Sequence, residues 1–166
     1  HTESTTMKRQ ATLPILFAAI ALLLAACSGQ PAQPKAPEIH YGEDMCGDCG
    51  MIINDARFAA SYAANEGEGA YKTYIFDDIG DMLHHMQQNL TLVGVGWWVH
   101  DYDSQEWIDA TTAYYVTSDE IKTPMNHGIA AFATQAAAEK LASELNGQVY
   151  NWDKIRIQHA LAAHQH

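Results

Sequence analysis

The sequence predicts an α+β fold built from two similar ββαβ units packed together. A strand–strand–helix–strand order, read from the hydrophobic periodicity, occurs twice. Each half carries few large apolar residues, so neither buries a sizeable core alone and the two are expected to pack together or share a sheet. The length of 166 residues suits one domain, or two small ones packed together.

The first unit opens with two strands, residues 57–64 and 70–76, joined by the turn Asn65-Glu-Gly-Glu-Gly69. A helix follows, capped by Asp77 or Asp78, whose negative charge suits the positive end of the helix dipole. Ile79, Met82, Leu83 and Met86 fall at i, i+3, i+4 and i+7 and form its buried stripe. Residues 92–100, rich in Val and Trp, complete the unit as a strand. In the second unit, residues 113–117 and 128–133 read as strands. A helix runs from Thr134 as cap to Asn146, stopped by Gly147, with Ala138, Leu141, Ala142 and Leu145 on one face. Residues 148–152 read as the last strand, and His159, His164 and His166 as a loose tail able to bind metal only weakly. Trp97, Trp98 and Trp107 are expected in the core or at the seam between the units.

Ahead of this fold, Met7-Lys-Arg9 is a short basic head and residues 13–26 are almost wholly apolar. That run is short for a membrane span and ends in small residues, which is the pattern of an export signal. Leu24-Ala-Ala-Cys27 is similar to a bacterial lipobox, so Cys27 is expected to become the first residue and to carry lipid. Pro31, Pro34 and Pro37 keep the next stretch extended as a spacer between membrane and domain. The expected division is an extension and signal over 1–26 and a lipidated tether over 27–38. A first unit follows over 39–110, and a second unit with its His-containing tail over 111–166.

Charge narrows the classes of function. Lys and Arg total 9 against 20 Asp and Glu, a formal charge of −11. No basic patch exists for nucleic acid or for anionic head groups, so nucleic-acid binding is set aside.

The chemistry concentrates in Asp44-Met-Cys-Gly-Asp-Cys-Gly-Met51. Two thiols at C-x-x-C spacing can close on one metal ion or on each other. Their softness favours Cu(I), zinc or iron–sulfur over hard cations, and the flanking thioether of Met51 tips that choice towards Cu(I). A disulfide across three residues would close too small a loop to stabilise much. A redox pair would want a helix after the second cysteine, but Gly50 follows and no helical pattern does. A zinc ribbon would need a second C-x-x-C, and a c-type haem site would need a histidine at position 50. Cys46 and Cys49 therefore stand as metal ligands, a thiol–disulfide pair or a loop staple.

A second candidate segment is Thr123-Pro-Met-Asn-His-Gly128, which joins the first two strands of the second unit. Pro124 stiffens it and Gly128 permits a turn, so Met125 and His127 should project from a defined bend. A methionine on a polar loop either tucks back into the core or offers its sulfur to the cysteines. His127 is a further candidate ligand, unless it is merely solvated. Asp77, Asp78 and Asp81 imitate a hard-metal cluster, although helix capping accounts for at least one of them. No Gly-rich phosphate loop, nucleophile elbow or His-Glu-x-x-His is present, so the chain is not read as an enzyme.

Taken together, Cys46-Gly-Asp-Cys49-Gly-Met51, Phe76-Asp-Asp-Ile-Gly80-Asp-Met82, Trp107-Ile-Asp-Ala110 and Thr123-Pro-Met125 behind a lipobox resemble the nitrous oxide reductase accessory lipoproteins, the NosL family. These blocks occur in the family's order across nearly the whole mature chain. The resemblance implies a periplasm-facing, lipid-anchored copper chaperone, on the inner or the outer membrane. It would take Cu(I) from donor proteins of its pathway and supply nitrous oxide reductase during assembly of its copper–sulfide centre, in denitrification. It also implies two ββαβ units distantly like those of the organomercurial lyases. The family's cuprous ligands map onto Cys49 and Met125, with Cys46, Met51 and His127 available to complete the site. Where some members carry a cysteine after F-D-D-I-G, this chain has Asp81, so no third thiol is available there. The alternative from the residues themselves is a periplasmic thiol–disulfide oxidoreductase using Cys46 and Cys49.

Overall fold

The structure, a computed structural model, describes residues 33–67 and 69–163. The leader with Cys27, the start of the tether, His164 and His166 all lie outside the described residues. Two antiparallel sheets carry the fold. The first holds β1 (Ala60–Gly67), β2 (Ala70–Phe76), β3 (Gly94–His100) and β4 (Trp107–Asp109) in the order β2-β1-β3-β4. The second holds β5 (Tyr114–Thr117), β6 (Ile129–Phe132) and β7 (Gln148–Asn151) in the order β6-β5-β7. In both, the first strand lies between the second and the third, so the sequence repeat is also a repeat of topology. The helices are α1 (Ile79–Gln88), α2 (Gln135–Glu144) and α3 (Trp152–Ala163).

The caps explain where the helices begin. Asp78 Oδ1 accepts from the Gly80 amide at 2.9 Å, which settles the choice between Asp77 and Asp78. Thr134 accepts from the Ala137 amide at the start of α2. Asn151 Oδ1 accepts from the Lys154 amide at 3.0 Å, which starts α3. The expected α1 stripe is buried at Ile79, Met82 and Leu83, and Met86 packs against it from the rim.

Several elements depart from the sequence reading. Residues 57–59 are not strand: 56–58 form a turn, in which Asp55 accepts from the Arg57 amide at 3.0 Å and its carboxylate also grips the guanidinium at 2.6 Å. Leu92 lies in a turn against Asn89, so β3 begins two residues later than expected. Strand β4 was not expected at all; it pairs with β3 over three residues, too few for an alternation to be read. The last strand ends at Asn151, and the supposed loose tail through His159 is helix α3, seated by Trp152 and Ile155. Trp152 packs its ring 6.3 Å from Trp97 and 6.1 Å from Tyr115. Trp97 and Trp107 pack at the core margin, Trp107 stacking 3.7 Å from His100.

The main core is shared by the two sheets: Tyr62, Phe76, Met82 and Val99 join Tyr115, Ile129, Trp152 and Ile155 in one cluster. Full burial of such side chains contributes about 1.5–3 kcal/mol each, which neither half could collect alone. A polar latch also crosses between the sheets. Asp101, just after β3, accepts from the Ser104 amide at 2.8 Å, from Ser104 Oγ at 2.9 Å and from the Ala133 amide beyond β6 at 2.8 Å. Burial opposes its ionisation, but these donors outweigh it and hold the carboxyl below its ordinary range. Asp101→Ala is therefore expected to cost about 1.5–3 kcal/mol in urea unfolding. The contribution is full above about pH 4, the unfolded value, and is lost as pH falls through the lower folded pKa.

Candidate metal centre

The segment Asp44–Ile53 folds into a tight hairpin with the cysteines at its tip. The Cys46 amide donates to Met51 O at 2.8 Å, the Ile53 amide to Asp44 O at 2.9 Å, and Met45 bridges Ile52. Gly50 turns the chain at φ +73°, in the left-handed region glycine tolerates. Gly47 brings the tip against β2: its amide donates to Ile75 O at 2.8 Å, and a Cβ there would meet Phe76 at 3.6 Å. Asp48 then ties the tip to α1 through His84 Nδ1 at 2.8 Å. The cysteine loop is thus held against the N-terminus of α1 by backbone and side chain alike.

At that helix end the thiols meet two carboxylates. Cys46 Sγ donates to Asp81 Oδ2 at 3.3 Å and Cys49 Sγ to Asp77 Oδ1 at 3.4 Å. Ligand atoms of Cys46, Cys49, Asp77 and Asp81 all lie within 4.8 Å of one another. Cys46, Asp77 and Asp81 are buried, and Cys49 is half-buried. Asp77 and Asp81 are four apart, one residue before the cap and three after it, so both reach the same side of the helix end.

The second segment docks on the same place. Asp78, already the cap, accepts from the Met125 amide through Oδ2 at 3.1 Å. His127 Nε2 pairs with Asp81 Oδ1 at 3.0 Å. The bend is shaped by Asn126 and Gly128, both at positive φ, and by Thr123 Oγ1 accepting from the Gly128 amide. The His127 ring lies directly over Gly80, leaving no room for a Cβ on the helix.

Electrostatics set the protonation of the cluster. Burial pushes the Cys46 thiol up, and burial together with the Asp81 carboxylate pushes Cys49 up further. Burial also raises Asp77, helped by the charge of Asp81. Burial works against ionisation of Asp81 as well, but His127 and the two thiols donate to it and hold it low. The Asp81 partner in turn raises His127. These directions favour two protonated thiols beside an ionised Asp81, with His127 biased towards its protonated form.

The NosL family profile matches residues 37–160, three quarters of the chain. The chain belongs to the NosL family. A curated relative, the copper-binding lipoprotein NosL of Stutzerimonas stutzeri, is 30% identical over 134 residues, covering 74% of this chain and 67% of the relative. The crystal structure of the copper chaperone NosL from Shewanella denitrificans superposes with a TM-score of 0.61 at 20% identity, covering 74% of this chain and 96% of that one. That likeness shows the fold, two antiparallel sheets with helices. Both relatives are named for copper and neither as an enzyme.

Within this NosL fold the five candidate ligands stand as follows. Cys46 and Cys49 are together. Met125 is carried by a loop bonded to the same helix end, with 36% of its surface exposed. His127 is there too, but its Nε2 is engaged by Asp81. Met51 lies one residue past the turn; its carbonyl closes the hairpin and its side chain is 55% exposed. His84 and His85 diverge as their adjacency requires, to Asp48 and to Tyr62. His159, read as tail, sits on α3 with its ring 5.2 Å from that of His127, and burial pulls its pKa down to about 4.

The sequence reading missed Asp77 and Asp81 as partners of the thiols. Their signal was present: two acidic residues four apart at a helix start, neither of them needed for the cap that Asp78 supplies. Asp81 occupies the position after F-D-D-I-G, and its contact with Cys46 shows that this position faces the cysteines.

Proposed function

We propose that this chain is a lipid-anchored, periplasm-facing carrier of Cu(I) that supplies nitrous oxide reductase for assembly of its copper–sulfide centre. The observation that supports it is the docking of two sulfur-bearing segments, the Cys46–Met51 hairpin and the Met125 loop, on one end of α1. Copper comes from the names of the two relatives, and the cuprous state from the donor chemistry. Thiolate and thioether are soft donors, which suit Cu(I) over hard cations. The carboxylates would suit a harder ion, but Asp81 is committed to His127 and Asp77 is pushed towards its neutral form. They serve here as acceptors for the thiol protons.

Cys49 and Met125 are the principal ligands in this reading, with Cys46 the second thiol and Met51 and His127 able to complete the shell. Cys49, Met51 and Met125 are each at least partly exposed, so a client ligand can approach from solvent and exchange with them. Residues 1–26 hold an N-terminal extension and the export signal, Cys27 carries the lipid, 27–38 form the tether, and 39–110 and 111–166 form the two units with the His-containing tail. Among the described residues no helix is long and apolar enough to cross a membrane. The rival thiol–disulfide reading would want a thiol with a lowered pKa, whereas both are raised here.

Titration of the reduced protein with Cu(I) against a competing chelator tests the binding. One tight equivalent is expected. Because both thiols are protonated before the metal arrives, each thiol that ligates releases a proton. The apparent affinity should therefore rise about tenfold per pH unit for each such thiol between pH 6 and 8, and fall as acid is added. A pH-independent affinity would exclude the thiols. Delivery is tested by incubating the loaded protein with copper-free nitrous oxide reductase: copper should move to the enzyme, and retention by the carrier would contradict the assignment.

A further inference from the structure

Apart from Ile52 on the cysteine hairpin, the large exposed aliphatic side chains among the described residues lie on the segment that leaves the far end of α1 and on α3. Leu90, just past that helix, is 86% exposed; Val93 is 65% and Val95 41%. Ile157 and Leu161, four apart on α3, are 61% and 54% exposed. Leu90 and Ile157 line one open groove of about 580 Å³ with Trp97. Val95 lines the adjoining groove, which shares Trp97 and includes Gln33 and Pro34. Two grooves that meet at Trp97 and hold exposed aliphatic side chains mark a face that something covers.

We infer that this face rests on the lipid bilayer to which the chain is tethered, an inference that depends on the reading of Cys27 as the lipidated residue. The tether commits the occupant. Cys27 stands six positions before Gln33, so even fully extended the chain between them reaches about 20 Å. Gln33 and Pro34 lie in the groove with Val95, so the anchor leaves the fold beside these aliphatics. The charge commits the mode of contact. The chain is acidic overall, and the groove offers Asp153 and Arg156 together rather than a basic stripe. Contact is therefore by apolar burial at the head-group boundary and not by attraction to anionic lipid. The geometry has a consequence for the site. Laying the Leu90 end of α1 on the membrane places Cys46 and Cys49 at the other end of a ten-residue helix, about 15 Å away, facing the aqueous side.

The test uses the full acylated chain in phosphatidylcholine vesicles, with p-benzoylphenylalanine in place of Leu90, Val93 or, as a control on another surface, Glu120. Flotation first reports whether the chain is anchored. On illumination, the probes at Leu90 and Val93 are expected to form phospholipid adducts about tenfold more than the probe at Glu120, with no gain from added phosphatidylserine. A chain that floats but gives equal adducts at all three sites, none at Leu90 and Val93, or adducts between two chains overturns this inference and leaves the anchor intact. A chain that does not float overturns the anchor reading and this inference with it.

Discussion

Replacing Cys49 by serine is expected to lower the affinity for Cu(I) by more than about 100-fold, beyond the 10- to 100-fold typical of losing a residue that only supports a ligand. The change removes a soft donor at a half-exposed position and leaves a hydroxyl that a cuprous ion binds poorly. The fold should barely notice. The hairpin is held by the Cys46 amide to Met51, the Gly47 amide to Ile75 and Asp48 to His84, none of which uses the Cys49 thiol. Competition titration of the variant, with its urea unfolding curve as control, separates a lost ligand from a lost fold. An affinity within a few fold of the parent's would move the site to Cys46 and the methionines.

Gly80→Ala is expected to weaken Cu(I) binding by about 10- to 100-fold although it replaces no candidate ligand. A Cβ at residue 80 would overlap Cγ, Cδ2 and Cβ of His127. Because Cβ is the root of that side chain, a rotamer change cannot relieve the overlap and the loop itself must move. The pairs His127–Asp81 at 3.0 Å and Met125 amide–Asp78 at 3.1 Å would then open, carrying Met125 off the helix end. Alanine favours a helix over glycine by about 1 kcal/mol, so a weaker helix would not explain the loss. Unchanged affinity would mean that the loop plays no part in holding the metal.

These two variants also show what the chain reveals of itself before it is folded. The helices α1 and α2 and most strands are legible because their caps and apolar periods agree: Asp78 and Thr134 stand immediately before stripes that bury Ile79, Met82, Leu83 and Ala138. Helix α3 is harder to read, since among the described residues only its Trp152 and Ile155 are buried and the rest of its face is mixed. Its start was nonetheless written in Asn151, whose side chain caps it. Strand β4 leaves no local signal because three residues gain their conformation from pairing with β3. The candidate site was legible as two sulfur-bearing segments. What joins them, Asp77, Asp78 and Asp81, was visible as charge but not as contact, because tertiary packing decides which face of a helix end meets which loop. His159 beside His127 depends on the docking of α3 and has no sequence signal.

The most direct measurement is X-ray absorption at the copper edge of the reduced protein loaded with one equivalent of Cu(I), compared with its Met125→Ala variant. Sulfur is expected to dominate the first shell of the parent, with one sulfur scatterer fewer in the variant. An identical sulfur shell in both would show that residue 125 never joins the cysteines at the metal, and the carrier site would then belong to the Cys46–Met51 hairpin alone.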